Sequence, residues 1–346
     1  MNFFMKTDEI KVTIWCLAYN HEKYIKKALE SFISQKTNFK YEILIHDDAS
    51  TDKTVQIIEE YRKKYPDIIK PIYEKINMHD KGLDYSINFC IPNAKGKYIA
   101  FCEGDDYWVD DYKLQKQYDL MESNPNVSLC VGKTKCTNED DSHNPTIFPP
   151  QEIEEYLSMT VVLSNQNFIK MLFTKCRYPF HTSTYFIRRD VICNNNIYAK
   201  LYGLLNGDNR ILLSAGAIGD IGYINDVLSN RRLFTKNNWN SRFIKMDDNR
   251  KFLYFCNEIK GFLYYRDFLD DKCGDYTNNC ICNSILFLAN SYNINKVTNF
   301  YKSLINVKLP SFATKKERIK FKLFVSHPRI YKLLFVLKRK IDNKYE

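Results

Sequence analysis

Apart from Thr13, positions 12–18 are all apolar, the pattern of a strand covered on both faces. Asn20 then stands where a helix cap is expected, and Ile25, Ala28, Leu29, Phe32 and Ile33 follow at helical spacing. Residues 41–46 read as a second strand. Ser50 or Thr51 is positioned to cap a second helix, with Val55, Ile57, Ile58 and Tyr61 on it. A short strand is expected over 69–73, weakened by Pro71. Residues 83–91 read as a helix, Gly96 as a break and 98–102 as a further buried strand. This alternation predicts an α/β fold with a mostly parallel central sheet flanked by helices.

Past Pro125 the pattern loosens. Strands are expected at 127–131, 184–187 and 218–224. Residues 134–150 are polar and carry prolines, and read as a loop. Asp208 opens a helix that ends near Gly216. From about 240 onward helical spacing dominates, over 252–268, 281–292 and 297–305. The expected organisation is a catalytic domain over 1–240, with a donor half at 10–125 and an acceptor half at 126–240. A helical C-terminal region fills 241–346.

Composition is globular, at 45% hydrophobic and 27% charged, and 346 residues suffice for one large domain with an appendage. The net charge of +10 favours polyanionic partners. Nucleic acid is not expected, because the loops at the strand ends are acidic and no nucleic-acid-binding motif is present. No spanning helix and no signal peptide are expected, so the eleven cysteines read as reduced thiols of a cytoplasmic protein. Cys273, Cys280 and Cys282 form the one tight group, without the paired spacing of a zinc site.

Two acidic clusters follow strand ends, where α/β sheets bind ligands: Asp47-Asp48-Ala49-Ser50-Thr51-Asp52 and Glu103-Gly104-Asp105-Asp106. Carboxylates held together raise one another's pKa, and a divalent cation set against substrate phosphates offsets that repulsion. Asp208, preceded by Gly207, is the best-placed further carboxylate. It suits a helix cap and a general base alike.

These motifs together resemble the family 2 glycosyltransferases of bacterial surface-polysaccharide type, across roughly residues 10–235. The run Ala18-Tyr19-Asn20-His21-Glu22 is similar to the family's nucleotide-contacting loop. The segment 47–52 is similar to its Asp-Asp-Gly-Ser-Thr-Asp turn, with Ala49 in place of Gly. The segment 103–106 is similar to its Asp-x-Asp metal motif, with Glu103 where Asp is commoner. The resemblance implies a GT-A-type nucleotide-binding fold and an inverting, hexosyltransferase-like transfer from a UDP-sugar to a glycan or lipid-linked glycan. It implies nucleotide-sugar contacts from Ala18, Tyr19, Glu22, Asp47, Asp48 and Asp105. Mn2+ or Mg2+ falls on Asp106 with Asp105, and Asp208 is the base. His181 and the pair Arg231–Arg232 fall on the acceptor or phosphate side. A nucleotide-sugar or glycan-binding module without turnover is the alternative. Trp108 reads as packing.

Between Lys315 and Lys340, cations alternate with Phe321, Leu323, Phe324, Ile330, Leu333, Leu334 and Leu337. Such a segment favours an anionic membrane surface, by about 1 kcal/mol per well-placed cation. A peripheral position on the cytoplasmic face is expected.

Overall fold

The computed structural model describes residues 9–78, 84–139, 145–157, 161–193, 196–233, 235, 239–269, 274–304, 307–308 and 314–342. The chain divides into two compact units. One comprises Met1–Phe168, Tyr178–Ala199 and Gly207–Ser241; the other comprises Ile169–Arg177, Lys200–Asn206 and Arg242–Glu346.

The first unit is built on one sheet. Its strands, among the described residues, are β1 (Ile10–Ala18), β2 (Lys40–Asp47), β3 (Ile69–Tyr73), β4 (Tyr98–Phe101), β5 (Tyr107–Trp108), β6 (Val127–Thr137), β7 (Thr146–Phe148), β8 (Val162–Leu163), β9 (Phe186–Arg188) and β10 (Asp220–Arg232). Their order is β3-β2-β1-β4-β9-β6-β10-β5, with β7 beside β6 and β8 beside β10. Strands β3, β2, β1 and β4 pair in parallel, as do β6 and β10; β9 runs antiparallel between β4 and β6. Pro71 is tolerated because β3 is an edge strand.

The apolar run of β1 is buried on both faces, with Val12, Ile14 and Cys16 all at 0% exposure and Trp15 at 2%. Helix Ile25–Ile33 lays Ile25, Ala28, Leu29 and Phe32 into the same core, the face its spacing predicts.

Four local expectations change. Asn20 does not cap that helix, which begins at Ile25. Asn20 adopts a left-handed conformation (φ 57°) and its amide oxygen accepts the Thr51 N–H at 2.8 Å. Neither Ser50 nor Thr51 caps the next helix, Thr54–Lys64; its first turn is served by Asp52, whose carboxylate accepts the Thr54 N–H at 2.9 Å. Of the helix expected over 83–91, Leu83 lies outside the described residues. Ser86–Cys90 is a wide π turn closing into Ile91–Asn93, where Pro92 has no N–H to give the Asn88 carbonyl. The loop expected over 134–150 is in part strand: β6 runs on to Thr137 and β7 pairs with it. Its polar residues are inside the sheet and satisfied across it, Thr134 Oγ1 lying 3.0 Å from Ser229 Oγ and Asn230 Nδ2 donating to Thr137 Oγ1 at 2.8 Å. The same pairing carries β10 to Arg232, well past the expected end.

The second unit is helical over Asp248–Phe268, Gly274–Ser291, Ile294–Ser303, Lys315–Ser326 and Pro328–Asp342. Asp247 caps the first of these, Asn293 the third, and Thr314 with Glu317 forms a reciprocal capping box on the fourth. Cys280 and Cys282 are buried on Gly274–Ser291, and Cys282 Sγ lies 3.7 Å from the Lys308 carbonyl; Cys273 lies outside the described residues.

Candidate active site

Strand direction gathers the chemistry-bearing residues at one edge of the sheet. β1, β2 and β4 are parallel and end there, and so do β6 and β10. β9 is antiparallel to β4, so the turn before it, Thr182–Thr184, lies at the same edge. Helix Gly207–Ile218 returns the chain to the start of β10, which leaves Asp208 at the edge where β10 ends.

The loop after β1 and the loop after β2 are clasped together. Asn20 N–H donates to Ser50 Oγ, His21 N–H to Thr54 Oγ1, Glu22 N–H to Asp52 and Lys53 N–H to Glu22 Oε2, all at 2.8–3.0 Å. Asp47 accepts from Ser50 through both N–H and hydroxyl. Burial pushes Asp47 up, and the Ser50 bonds only partly counter it. Burial also pushes Asp52 up, but bonds from Thr54 and the Glu22 N–H outweigh it and hold that carboxyl low. Asp48, nearly buried, accepts the Met78 N–H at 2.6 Å and the Tyr85 hydroxyl at 2.7 Å, while its own N–H donates to the Ala18 carbonyl. Ala49 sits between them at φ 63°, a left-handed position that favours glycine. Tyr19 is half-buried beside this clasp.

The second cluster is differently made. Gly104 is pressed so closely that an added Cβ would lie 2.9 Å from His21 Nδ1 and Ile25 Cδ1 and 3.3 Å from the Leu17 carbonyl. That contact sets the turn 103–106 against the loop after β1. Glu103, Asp106 and His181 bring one ligand atom each within 4.8 Å of one another. Asp106 is 3% exposed; its Oδ1 accepts the Arg232 N–H at 2.9 Å and its Oδ2 lies 3.6 Å from His181 Nδ1. Glu103 Oε2 is buried and has no hydrogen-bond partner among the described residues. Burial, then the Asp208 and Asp105 charges, raise Glu103 to about 8. Burial, then Asp105 and Glu103, raise Asp106 well above the carboxylate range. His181 is held neutral: burial first and Arg231 second push it well below its usual value. A neutral imidazole and two carboxylates form a donor set suited to a divalent ion.

Asp208 is half-buried, and burial raises its carboxyl although the Thr182 hydroxyl and Arg231 act in the other direction. Asp105 is not part of the three-residue group. Its carboxylate accepts the Thr235 hydroxyl at 2.8 Å and its carbonyl accepts Arg232 Nη1 at 2.7 Å. The two arginines separate: the Arg232 guanidinium lies over the Tyr107 and Tyr24 rings and is 4% exposed, whereas Arg231 is half-buried and its charge acts on Glu103, Asp106, His181 and Asp208. Trp108 is packing, 3% exposed, with its indole N–H donated to the Ser183 carbonyl at 2.9 Å.

A buried ion pair ties the chain beside the first cluster to the helix that carries Asp208. Arg210, two residues beyond Asp208, donates to Asp84 Oδ2 at 2.6 Å and to the Tyr198 hydroxyl at 2.8 Å. Asp84 precedes Tyr85, the residue bound to Asp48. Thr182, Thr235, Asp84 and Arg210 carry no role in the sequence reading; Thr182, Arg210 and Thr235 neighbour the expected His181, Asp208 and Arg231–Arg232, whereas Asp84 stands apart from any motif.

The profile of glycosyl transferase family 2 matches residues 13–195, more than half of the chain. The chain belongs to glycosyl transferase family 2. Both acidic clusters and His181 lie inside the family 2 region, and Asp208 lies just beyond it. An uncharacterized protein of Mycobacterium tuberculosis, Rv1520, is 38% identical over 159 residues, covering 46% of this chain and 44% of that protein. This family 2 chain thus matches less than half the length of its mycobacterial relative. WfgD of Escherichia coli, named a UDP-Glc:alpha-D-GlcNAc-diphosphoundecaprenol beta-1,3-glucosyltransferase, is 26% identical over 216 residues, covering 60% of this chain and 80% of that enzyme. Among solved structures, Staphylococcus aureus TarS 1–349 superposes with a TM-score of 0.59 at 17% identity, covering 94% of this chain and 89% of that one. That likeness supports the GT-A-type fold.

Proposed function

We propose that this family 2 chain transfers a sugar from a UDP-sugar to a glycan or lipid-linked glycan acceptor, with inversion and with a divalent cation assisting. The observation that carries the reading is the meeting of Glu103, Asp106 and His181 beside the Asp208 carboxylate. WfgD supports the substrate classes, since its name pairs a UDP-sugar with a lipid-diphosphate-linked sugar.

Asp48 and the 18–22 loop form the nucleotide side, with Asp47 and Glu22 holding its shape and Tyr19 against the base. Asp105 lies toward the ribose. Glu103, Asp106 and His181 would hold Mn2+ or Mg2+; the orphaned Glu103 oxygen and the raised carboxyls fit a site that expects a cation. The imidazole favours Mn2+ over Mg2+. When bound, the ion supplies charge stabilisation to the leaving diphosphate. Arg231 adds a positive charge on the same side. Asp208 takes the proton from the acceptor hydroxyl as that oxygen bonds to the anomeric carbon. The bond from that carbon to the diphosphate oxygen breaks on the opposite face, and the electron pair leaves with UDP. A raised carboxyl pKa brings the base closer to working pH.

Asp208→Asn keeps the shape and removes the basicity. Transfer should fall by roughly 10²–10⁴-fold with UDP affinity unchanged. The product should carry the anomeric configuration opposite to that of the donor. A near-normal rate in this variant, or retained configuration, would overturn the assignment of the base.

A further inference from the structure

The helix Pro328–Asp342 carries two apolar stripes, and the second unit accounts for only one. Tyr331 is 6% exposed and Phe335 half-buried; Tyr331 packs on Phe324 with ring centroids 5.9 Å apart, and Phe324 packs on Tyr301 at 5.6 Å. Lys332 fixes the rotation of the helix. Its ammonium donates to the Ala289 carbonyl at 2.8 Å and to the Asn290 carbonyl, at the C-terminal end of helix Gly274–Ser291, where a cation is favoured. That rotation turns Ile330, Leu333, Leu334 and Leu337 outward at i, i+3, i+4 and i+7, with exposures of 49%, 59%, 51% and 47%. Val336 on the same helix and Ile319 and Val325 on helix Lys315–Ser326 are exposed as well. Single exposed apolar residues are ordinary, but a continuous aliphatic stripe marks a contact surface.

The charges around the stripe say what kind. Between Lys315 and Asp342 there are ten Lys and Arg against Glu317 and Asp342. Arg329 and Lys338, both exposed, bracket the stripe. A second copy of the chain meeting this face symmetrically would set one cation-rich surface against another. Anionic headgroups neutralise those cations, while the aliphatic stripe enters the acyl boundary. Among the described residues no helix is long and apolar enough to cross a membrane, so the geometry suits a helix lying in the interface plane.

We propose that Ile330, Leu333, Leu334 and Leu337 form the face by which this chain binds an anionic lipid bilayer, with Tyr331, Lys332 and Phe335 docking the helix to its own unit. This rests on the lipid-linked acceptor of the functional reading, and its test reads vesicle binding without reference to transfer, so the two fail separately. The full chain is sedimented with phosphatidylcholine vesicles and with vesicles of phosphatidylcholine and phosphatidylglycerol. Three proteins are compared: the parent chain, Leu333→Gln/Leu337→Gln, and Leu253→Gln. Leu253 is equally exposed, at 59%, but lies on helix Asp248–Phe268, so its variant controls for general apolar stickiness. The double variant should unfold at the parent's temperature and lose more than about tenfold in binding to the anionic vesicles. The Leu253 variant should bind like the parent, and neutral vesicles should bind all three weakly. Equal anionic-vesicle binding by the double variant overturns the proposal. So does parent binding indifferent to lipid charge, or a double variant whose change is lost self-association in light scattering while vesicle binding persists.

Discussion

The two acidic clusters stand at the ends of β2 and β4, on either side of β1, yet they are chemically opposite. In the first, Asp47, Asp48 and Asp52 each accept protein donors: Ser50, Met78 with Tyr85, and Thr54 with Glu22. In the second, carboxylates face one another, Glu103 keeps a buried oxygen without a partner, and Glu103 and Asp106 are both pushed up. The first cluster is satisfied by protein donors. The second leaves a buried carboxylate oxygen without one, which is what the proposed cation would answer. Similar sequence, Asp-Asp after a strand in both, conceals that difference until the donors are counted.

The ion pair between the first cluster's flank and the helix of Asp208 is where the largest effect on stability is expected. Asp84→Ala strands the buried Arg210 charge and should cost about 3–5 kcal/mol, read as a shift in the urea midpoint. A loss under 1 kcal/mol would mean the pair does not hold the helix of Asp208.

Next come paired substitutions, one in each cluster. Asp52→Ala leaves the Glu22 and Thr54 N–H groups without their acceptor and should cost about 1–3 kcal/mol, with the response to Mn2+ unchanged. Asp106→Asn keeps an acceptor for the Arg232 N–H but removes repulsion. It should leave the metal-free protein as stable as before or more so, and abolish the stabilisation by Mn2+. If both variants destabilise alike and both respond to Mn2+, the contrast between the clusters is void.

A pH titration sharpens the same contrast. Folded Glu103 holds its proton to about 8, whereas the unfolded chain releases it near the ordinary value of 4.5. Between these values the unfolded state binds fewer protons, so metal-free stability should fall as pH rises through that window. Mn2+ needs the deprotonated site, so its stabilising effect on the melting temperature should grow over the same interval. A metal effect that shrinks toward pH 8 would contradict this.

The smallest effect is expected at the turn of the first cluster. Ala49→Gly relieves a left-handed alanine and should add about 0.5–1 kcal/mol, with UDP affinity unchanged. A destabilised variant would mean that chain entropy outweighs the relief.

Much of this was readable in advance because it is local. The apolar run of β1, the spacing of Ile25, Ala28, Leu29 and Phe32, and the Asp-rich strand ends report themselves over a few residues. Polarity misled over 134–150, because Thr134 and Thr137 satisfy their hydroxyls across the sheet with Ser229 and Asn230, more than ninety residues away. Asn20 and Ser50 look like helix caps by type, but each is used by the other's loop. Asp84 and Arg210 meet across 126 positions, and Asp84 belongs to no motif. That His181 joins Glu103 and Asp106, while Asp105 turns to Thr235, depends on which way each side chain leaves its turn, and spacing does not encode that.

The central claim is that the Glu103–Asp106–His181 cluster holds a divalent ion for the diphosphate of the donor. Calorimetric titration of UDP into the parent chain and into Asp106→Asn, each with and without Mn2+, tests it most directly. Mn2+ should strengthen UDP binding to the parent by more than about tenfold and leave the variant unaffected. Equal UDP affinity in all four titrations would contradict it.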